Sequence, residues 1–301
     1  MQLYPLSYYD DQANGYTLIK TVPLSSAMGA EIQDVHLPTM SDAQFAQVKS
    51  ALYRYKMVYF RDQNLTIADQ EKLTLRFGPF GTDAYTKGMP GHPNVQRLLK
   101  EASTKVDRVF GEGWHTDSPF LAQPPAVSLL YGIHIPPYGG DTWWTNSELA
   151  YDFLSEGLKA LLQGLRVHMT AREAIRLTVR KDAQGKEIVG DMQMVMQEQE
   201  EMIRGNFHPL VRTHPETGKQ ALYVDTIYAQ GILGLKDEEA RPLLDYLARH
   251  ITREDFCCRL RWTAGTLVMW DNRICLHKAF NDYDGHKREM IRTIVNGEVP
   301  F

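Results

Sequence analysis

The sequence predicts a mainly β fold, a sandwich or jelly roll with helices added outside, and three features carry that expectation. From Val95 onward the chain breaks into short runs rich in aromatic and aliphatic residues. Turn chemistry separates the runs, as at Pro136-Pro137-Tyr138-Gly139-Gly140 and Ala264-Gly265. Helical periodicity is confined to a few capped segments. A long series of short strands with few helices folds as two packed sheets.

Before Val95 the signals alternate. Tyr16 to Ile19 and Ala30 to Ile32 read as short strands. Ser41 to Gln44 forms a capping box that opens a helix, with Phe45, Val48, Leu52 and Tyr55 on one face. Met57 to Phe60 is a short buried strand. A second helix starts near Thr66, where Asp69 is placed to cap it, and stops at Gly78.

The later strands are expected at Val95–Leu99, Gly113–Asp117, Val127–Ile133, Asp141–Thr145, Leu165–Thr170, Val211–His214, Ala221–Val224, Phe256–Trp262, Thr266–Trp270 and Met290–Val295. Helices are expected over Asn146–Leu154, Glu156–Gln163 and Lys236–Ile251. The stretch from Ala171 to Gly205 fits neither pattern, being charged and rich in methionine (Met192, Met194, Met196, Met202). It reads as an insertion, either an adaptable cover over a pocket or a surface excursion.

The 301 residues carry no repeat, low-complexity tract or linker, so one domain over residues 1–301 is expected. A formal net charge of −4 offers no basic surface for nucleic acid. Residues Met1 to Asp11 lack a basic region followed by an apolar run, and no stretch is long enough to span a bilayer. A cytoplasmic protein acting on a small molecule, assembled as a homo-oligomer, is the resulting expectation. The three cysteines, Cys257, Cys258 and Cys275, are too few and too poorly spaced for a disulfide framework or a thiolate metal site. Buried small side chains suit them, although Cys275 could face a pocket formed near His277.

The candidate chemistry sits in Gly113-Trp114-His115-Thr116-Asp117-Ser118 and in the distant His277. In extended backbone, residues i and i+2 point to the same side, so His115 and Asp117 can offer an imidazole and a carboxylate to one ion. His277 would complete two histidines and one carboxylate, the set that leaves positions open on non-haem Fe(II). A bare His-x-Asp is a weak signal in a chain with ten histidines, and His214-Pro215-Glu216 competes with it. There, proline followed by Thr217-Gly218 reads as a turn between strands. Downstream of His277, Arg288, Met290 and Arg292 share one face of an extended strand. Two guanidinium groups turned inward need an anion, whereas the same spacing also suits ordinary pairing with surface carboxylates.

Taken together, Trp114 to Asp117, Gly139 to Thr142, Trp270 to Asn272, His277, Arg288 and Arg292 resemble the pattern of the TauD/TfdA family of Fe(II)- and 2-oxoglutarate-dependent dioxygenases. The likeness extends through His208–Val211 and Leu222–Val224, and so over most of the chain beyond about Leu24. The resemblance implies a cupin-like double-stranded β-helix and Fe(II) held by His115, Asp117 and His277. It implies that Arg288, helped by the hydroxyl of Thr142, holds the distal carboxylate of 2-oxoglutarate. Arg292 would contact the metal-bound end of that co-substrate or an anionic group of the substrate. The implied reaction consumes O2, releases succinate and CO2, and hydroxylates an unactivated C–H bond of a small organic, anionic and partly apolar or aromatic substrate. Tyr85, Lys87, Phe120, Trp143 and Tyr228 are the further candidates for substrate contact. A tailoring oxygenase that desaturates, rearranges or epoxidises is the alternative within the same chemistry, and a non-catalytic metal or ligand sensor is the alternative from another class.

Overall fold

The computed structural model describes residues 6–104, 111–181, 187–189 and 199–301. Local capping chemistry sets the first elements. Ser41 and Gln44 exchange the two bonds of a capping box ahead of α1 (Asp42–Tyr55), and Thr66 and Asp69 do the same ahead of α2 (Ile67–Phe77), which ends at Gly78. The strands of this half are β1 (Lys20–Pro23), β2 (Ala30–Gln33), β3 (Met57–Phe60) and β4 (Gln96–Lys100). The expected strand at Tyr16–Ile19 begins only at Lys20. The amide N–H groups of Thr17 and Leu18 donate to Oε1 of Gln47 on α1, so a side chain takes the bonds a ladder would have used.

The second half supplies β5 (Val127–His134), β6 (Thr142–Asn146), α3 (Ser147–Asp152), α4 (Glu156–Leu162) and β7 (Arg166–Met169). Then come α5 (Arg172–Thr178), β8 (Val179–Lys181), β9 (Glu187–Val189), α6 (Gln199–Arg204), β10 (Asn206–Pro209), β11 (Val211–Thr213), β12 (Gln220–Leu222) and β13 (Ala229–Ile232). The chain closes with α7 (Asp237–Ile251), β14 (Cys257–Leu260), β15 (Leu267–Asp271), β16 (Cys275–Ala279) and β17 (Arg288–Val295). The insertion expected over Ala171–Gly205 thus contains α5, the antiparallel pair β8 and β9, and α6. Its C-terminal part is pinned just beyond β7, because the carbonyls of Met202 and Ile203 accept from the Thr170 hydroxyl and that of Met202 also from the N–H of Ala171 at 2.8 Å. Met192, Met194 and Met196 lie outside the described residues.

One sheet of seven strands runs in the order β1-β2-β3-β15-β5-β17-β4, all antiparallel except β2 with β3. One of its faces carries α1 and α2. Ile291 and Val295 of β17 share that core with Val48, Leu52 and Leu73, and Thr293 shares a 2.7 Å hydroxyl contact with Thr74. The other face meets the smaller sheet β14-β6-β16, with Leu130 and Met290 packed into one core with Trp144 and Leu276. This is the two-sheet arrangement of a cupin-like jelly roll, mainly β with peripheral helices. The period-two alternation therefore decides function here. On β17 Ile291, Thr293 and Val295 go to the helices and Arg288, Met290 and Arg292 go to the space between the sheets. Among the described residues no helix is long and apolar enough to cross a membrane.

Gly113–Asp117, expected as a strand, forms no ladder. It is joined to β16 by a single bridge in which His115 N–H donates to the His277 carbonyl at 3.0 Å and His277 N–H donates to that of His115 at 2.7 Å. Ser118, at φ 44°, then turns the chain away. Cys275 does not line the cavity beside His277: it is buried in the core between the sheets, with its Sγ 3.5 Å from the Lys56 carbonyl.

Candidate metal centre and adjoining cavity

The two-way backbone bridge is what brings His115 and Asp117 to His277. One nitrogen or oxygen from each of the three buried side chains lies within 4.8 Å of the others, a spacing that one ion can span. The imidazoles of His115 and His277 are 4.2 Å apart between centroids. Nδ1 of His115 lies 2.8 Å from the Gly113 carbonyl and donates to it, which leaves Nε2 as the lone-pair nitrogen. On His277, Nε2 approaches Asp117 Oδ1 at 3.8 Å, while burial, with His115 and Arg292 nearby, pushes the imidazole down to about 3 despite Asp117. Burial raises the Asp117 carboxyl, but Arg292, His277 and His115 outweigh it and hold the group below the usual carboxylate range. A neutral imidazole and an ionised carboxylate are the forms that ligate.

A relay of hydrogen bonds fixes the carboxylate. Trp270 Nε1 donates to Asn272 Oδ1 at 2.8 Å, Asn272 Nδ2 donates to Ser128 Oγ at 2.8 Å, and Ser128 donates to Asp117 Oδ2. Thr116, between the two ligands, is clamped as well: its N–H donates to Asp225 Oδ2 at 2.7 Å and its hydroxyl to the Asn272 carbonyl at 2.8 Å. Asp225 also accepts from the N–H groups of Ile227 and Tyr228, and burial, partly offset by His115 and these donors, pushes its carboxyl up to about 6. Asn272 belongs to a motif singled out from sequence. Ser128 and Asp225 do not, because a lone serine in a strand and a lone aspartate in a loop carry no local signal.

Between the sheets, a cavity opens beside the trio. Its walls include Leu98, Leu130 and Trp270 from the large sheet, and His277 and Thr142 from the small one. Arg288 and Arg292 both reach it and differ sharply. Arg288 is half-buried with its Nε enclosed, donates Nη2 to the Gly140 carbonyl at 3.3 Å, and has no partner for Nε or any carboxylate at ion-pair distance among the described residues. Burial presses this guanidinium below its ordinary value, with Tyr283 and Asp141 acting in the opposite sense. The neighbouring carboxylate of Asp141 is itself engaged by Arg259 at 2.6 Å. Thr142 accepts from Trp262 Nε1 at 2.9 Å, so its hydroxyl proton is left to donate. Arg292, by contrast, donates Nη2 to Asp83 and Nη1 to Asp117 Oδ1 at 3.3 Å.

The five residues named for substrate contact lie elsewhere than these walls. Tyr85 donates its hydroxyl to that of Tyr228 at 2.7 Å, and Phe120 packs edge-on against both rings, so the three form a buried aromatic cluster. Lys87 is exposed. Trp143 stands on the opposite face of β6 from Thr142, near Phe280 and Lys278. Among the cavity residues missed from sequence, Leu98 and Leu130 are ordinary apolar side chains and Lys100 is a lysine at a strand end, with nothing to distinguish them before folding.

Residues 20–294 match the family model described as taurine catabolism dioxygenase TauD, TfdA family. An alkylsulfatase of Acinetobacter baylyi is 32% identical over 287 residues, 92% of this chain and 84% of its own length. An alpha-ketoglutarate-dependent sulfate ester dioxygenase of Pseudomonas putida is 30% identical over 280 residues, 92% of this chain and 89% of its own. Among solved structures, a taurine dioxygenase from Burkholderia xenovorans superposes with a TM-score of 0.75 at 34% identity, covering 94% of this chain and 92% of that one. With the ligand trio, the cavity and the sheet order in accord, the chain belongs to the TauD/TfdA family.

Proposed function

We propose that this protein is a 2-oxoglutarate-dependent non-haem iron dioxygenase that hydroxylates a C–H bond of a small organic molecule, with His115, Asp117 and His277 as the iron ligands. The observation that carries the reading is the unanswered Arg288. A half-buried guanidinium with an enclosed, unpartnered Nε and no carboxylate at hand is costly, and it lines the same cavity as a trio of side chains able to hold a divalent ion. A dicarboxylic co-substrate answers both ends at once.

The donor set fits ferrous iron: two imidazoles and one carboxylate, buried, with no fourth protein ligand beside them among the described residues. When bound, Fe(II) with 2-oxoglutarate supplies the activation of O2, and the products are succinate, CO2 and the oxidised substrate. The chain's own residues do the rest. Arg288 offers its planar fork to the distal carboxylate, and the Thr142 hydroxyl donates beside it. Gly113 fixes the tautomer of His115, and Ser128 and Asn272 fix the rotation of Asp117, so the ligand atoms are set before the ion arrives. Leu98, Leu130 and Trp270 provide the apolar wall that keeps bulk water away.

The test is spectroscopic and then chemical. Adding Fe(II) and 2-oxoglutarate to metal-free protein without oxygen should produce a visible charge-transfer band, and oxygen with a substrate should then release succinate. A protein that binds zinc tightly but gives neither band nor succinate would defeat the reading.

A further inference from the structure

We infer that Asp83 makes the substrate site refuse anions, so that the substrate is uncharged where it lies against Arg292. The inference rests on the dioxygenase reading for the location of the substrate and goes beyond it in charge class.

Arg292 is the group that a sulfonate, sulfate or carboxylate would be drawn to, since it reaches the cavity beside the metal trio. Both of its terminal nitrogens are already engaged, Nη2 by Asp83 and Nη1 by Asp117, and only Nε is left. Asp83 is 7% exposed and cannot easily swing aside. Its Oδ1 accepts from the N–H groups of Tyr85 and Thr86, both at 2.9 Å, so turning the carboxylate would break two buried hydrogen bonds. The ion pair is therefore part of the wall rather than a passing contact.

Charge balance agrees. With iron and co-substrate in place, Arg288 answers the distal carboxylate, Asp83 answers Arg292, and Asp117 with the remaining carboxylate of 2-oxoglutarate answers the two charges of the ion. Lys100, which also lines the cavity, is answered by Asp284 at 3.0 Å. Among the described residues no positive charge is left over for a substrate anion, and burying an uncompensated charge is expensive. Alcohols, ethers and amides of moderate size meet no such penalty against Leu98, Leu130 and Trp270.

The experiment compares 1-hexanesulfonate with 1-hexanol, titrated by calorimetry into oxygen-free protein loaded with Fe(II) and 2-oxoglutarate, and again into metal-free protein. The wild type should bind the alcohol at least as tightly as the sulfonate. Asp83→Asn keeps an oxygen for the two N–H groups and removes the charge. That variant should tighten the sulfonate by at least about tenfold and leave the alcohol unchanged. Asp83→Glu, which restores the charge, should fall back toward the wild type. A wild type that prefers the sulfonate, or a sulfonate affinity indifferent to Asp83→Asn, overturns the inference. A missing charge-transfer band at loading instead counts against the dioxygenase reading, while the metal-free titrations still decide the role of Asp83.

Discussion

Two buried histidine–aspartate clusters stand at opposite fates in this molecule. At His214 and Asp271, both fully buried, every polar atom is answered. His214 Nδ1 accepts from the N–H groups of Glu216 and Thr217, its Nε2 donates to Asp271 at 2.9 Å, and Asp271 takes three further bonds from the backbone N–H and guanidinium of Arg273. At His115, Asp117 and His277, Nδ1 of His277 has no partner among the described residues, and one donor atom from each side chain lies within 4.8 Å of the others. The first cluster is closed and serves the fold. The second is held open by its surroundings, and open buried polarity is what a ligand fills. The Trp270-Asp271-Asn272 motif feeds both, Asp271 turning to His214 and Asn272 to the Ser128–Asp117 relay.

Substitutions should split along the same line. His115→Ala or Asp117→Ala removes an iron ligand and should lower succinate release by well over ~100-fold, more than loss of an outer hydrogen-bond partner costs. Circular dichroism and the denaturation midpoint should stay near wild type, and a large loss of stability would mean the open cluster also holds the fold. Asp271→Ala does the reverse: Arg273 loses its buried counter-charge and His214 its acceptor, and denaturant unfolding should show a loss of about 3–5 kcal/mol. Undiminished stability in that variant would erase the distinction.

Arg288→Ala tests the open end of the cavity. Loss of the one guanidinium available to a carboxylate should weaken 2-oxoglutarate by about 2 kcal/mol or more, roughly 30-fold, read from the titrated charge-transfer band. An unchanged affinity would mean that another residue holds the co-substrate. The mildest effect concerns pH. Burial pushes His208 down to about 4 from 6.5, against the Leu121 carbonyl that its Nε2 faces at 3.0 Å. The unfolded chain therefore takes up this proton first as pH falls, and stability present above 6.5 drains away toward 4. Up to ~3 kcal/mol is at stake, and His208→Gln should flatten that slope of the denaturation midpoint.

What could be read before folding was local. Ser41–Gln44 and Thr66–Asp69 cap their helices as expected because the bonds span three residues. The strand at Tyr16–Ile19 failed because Gln47, thirty residues on, took its N–H groups. The facing of Arg288 and Arg292 followed from the pleat, yet the pleat could not say which would find a carboxylate waiting. Asp83, far from Arg292 in sequence, supplied that answer. Ser128 and Asp225 escaped notice for the same reason.

By itself the sequence determined the ligand types, their spacing in extended backbone, the caps and the alternation of β17, since each depends on neighbours within a few residues. Only the tertiary structure decided which histidine–aspartate pair stays open, that Arg288 is unmet and Arg292 is not, and that Tyr85, Phe120 and Tyr228 pack on one another. Those outcomes depend on which distant side chains share a dry space between two sheets, where the cost of a charge is set by its partners rather than by its place in the chain.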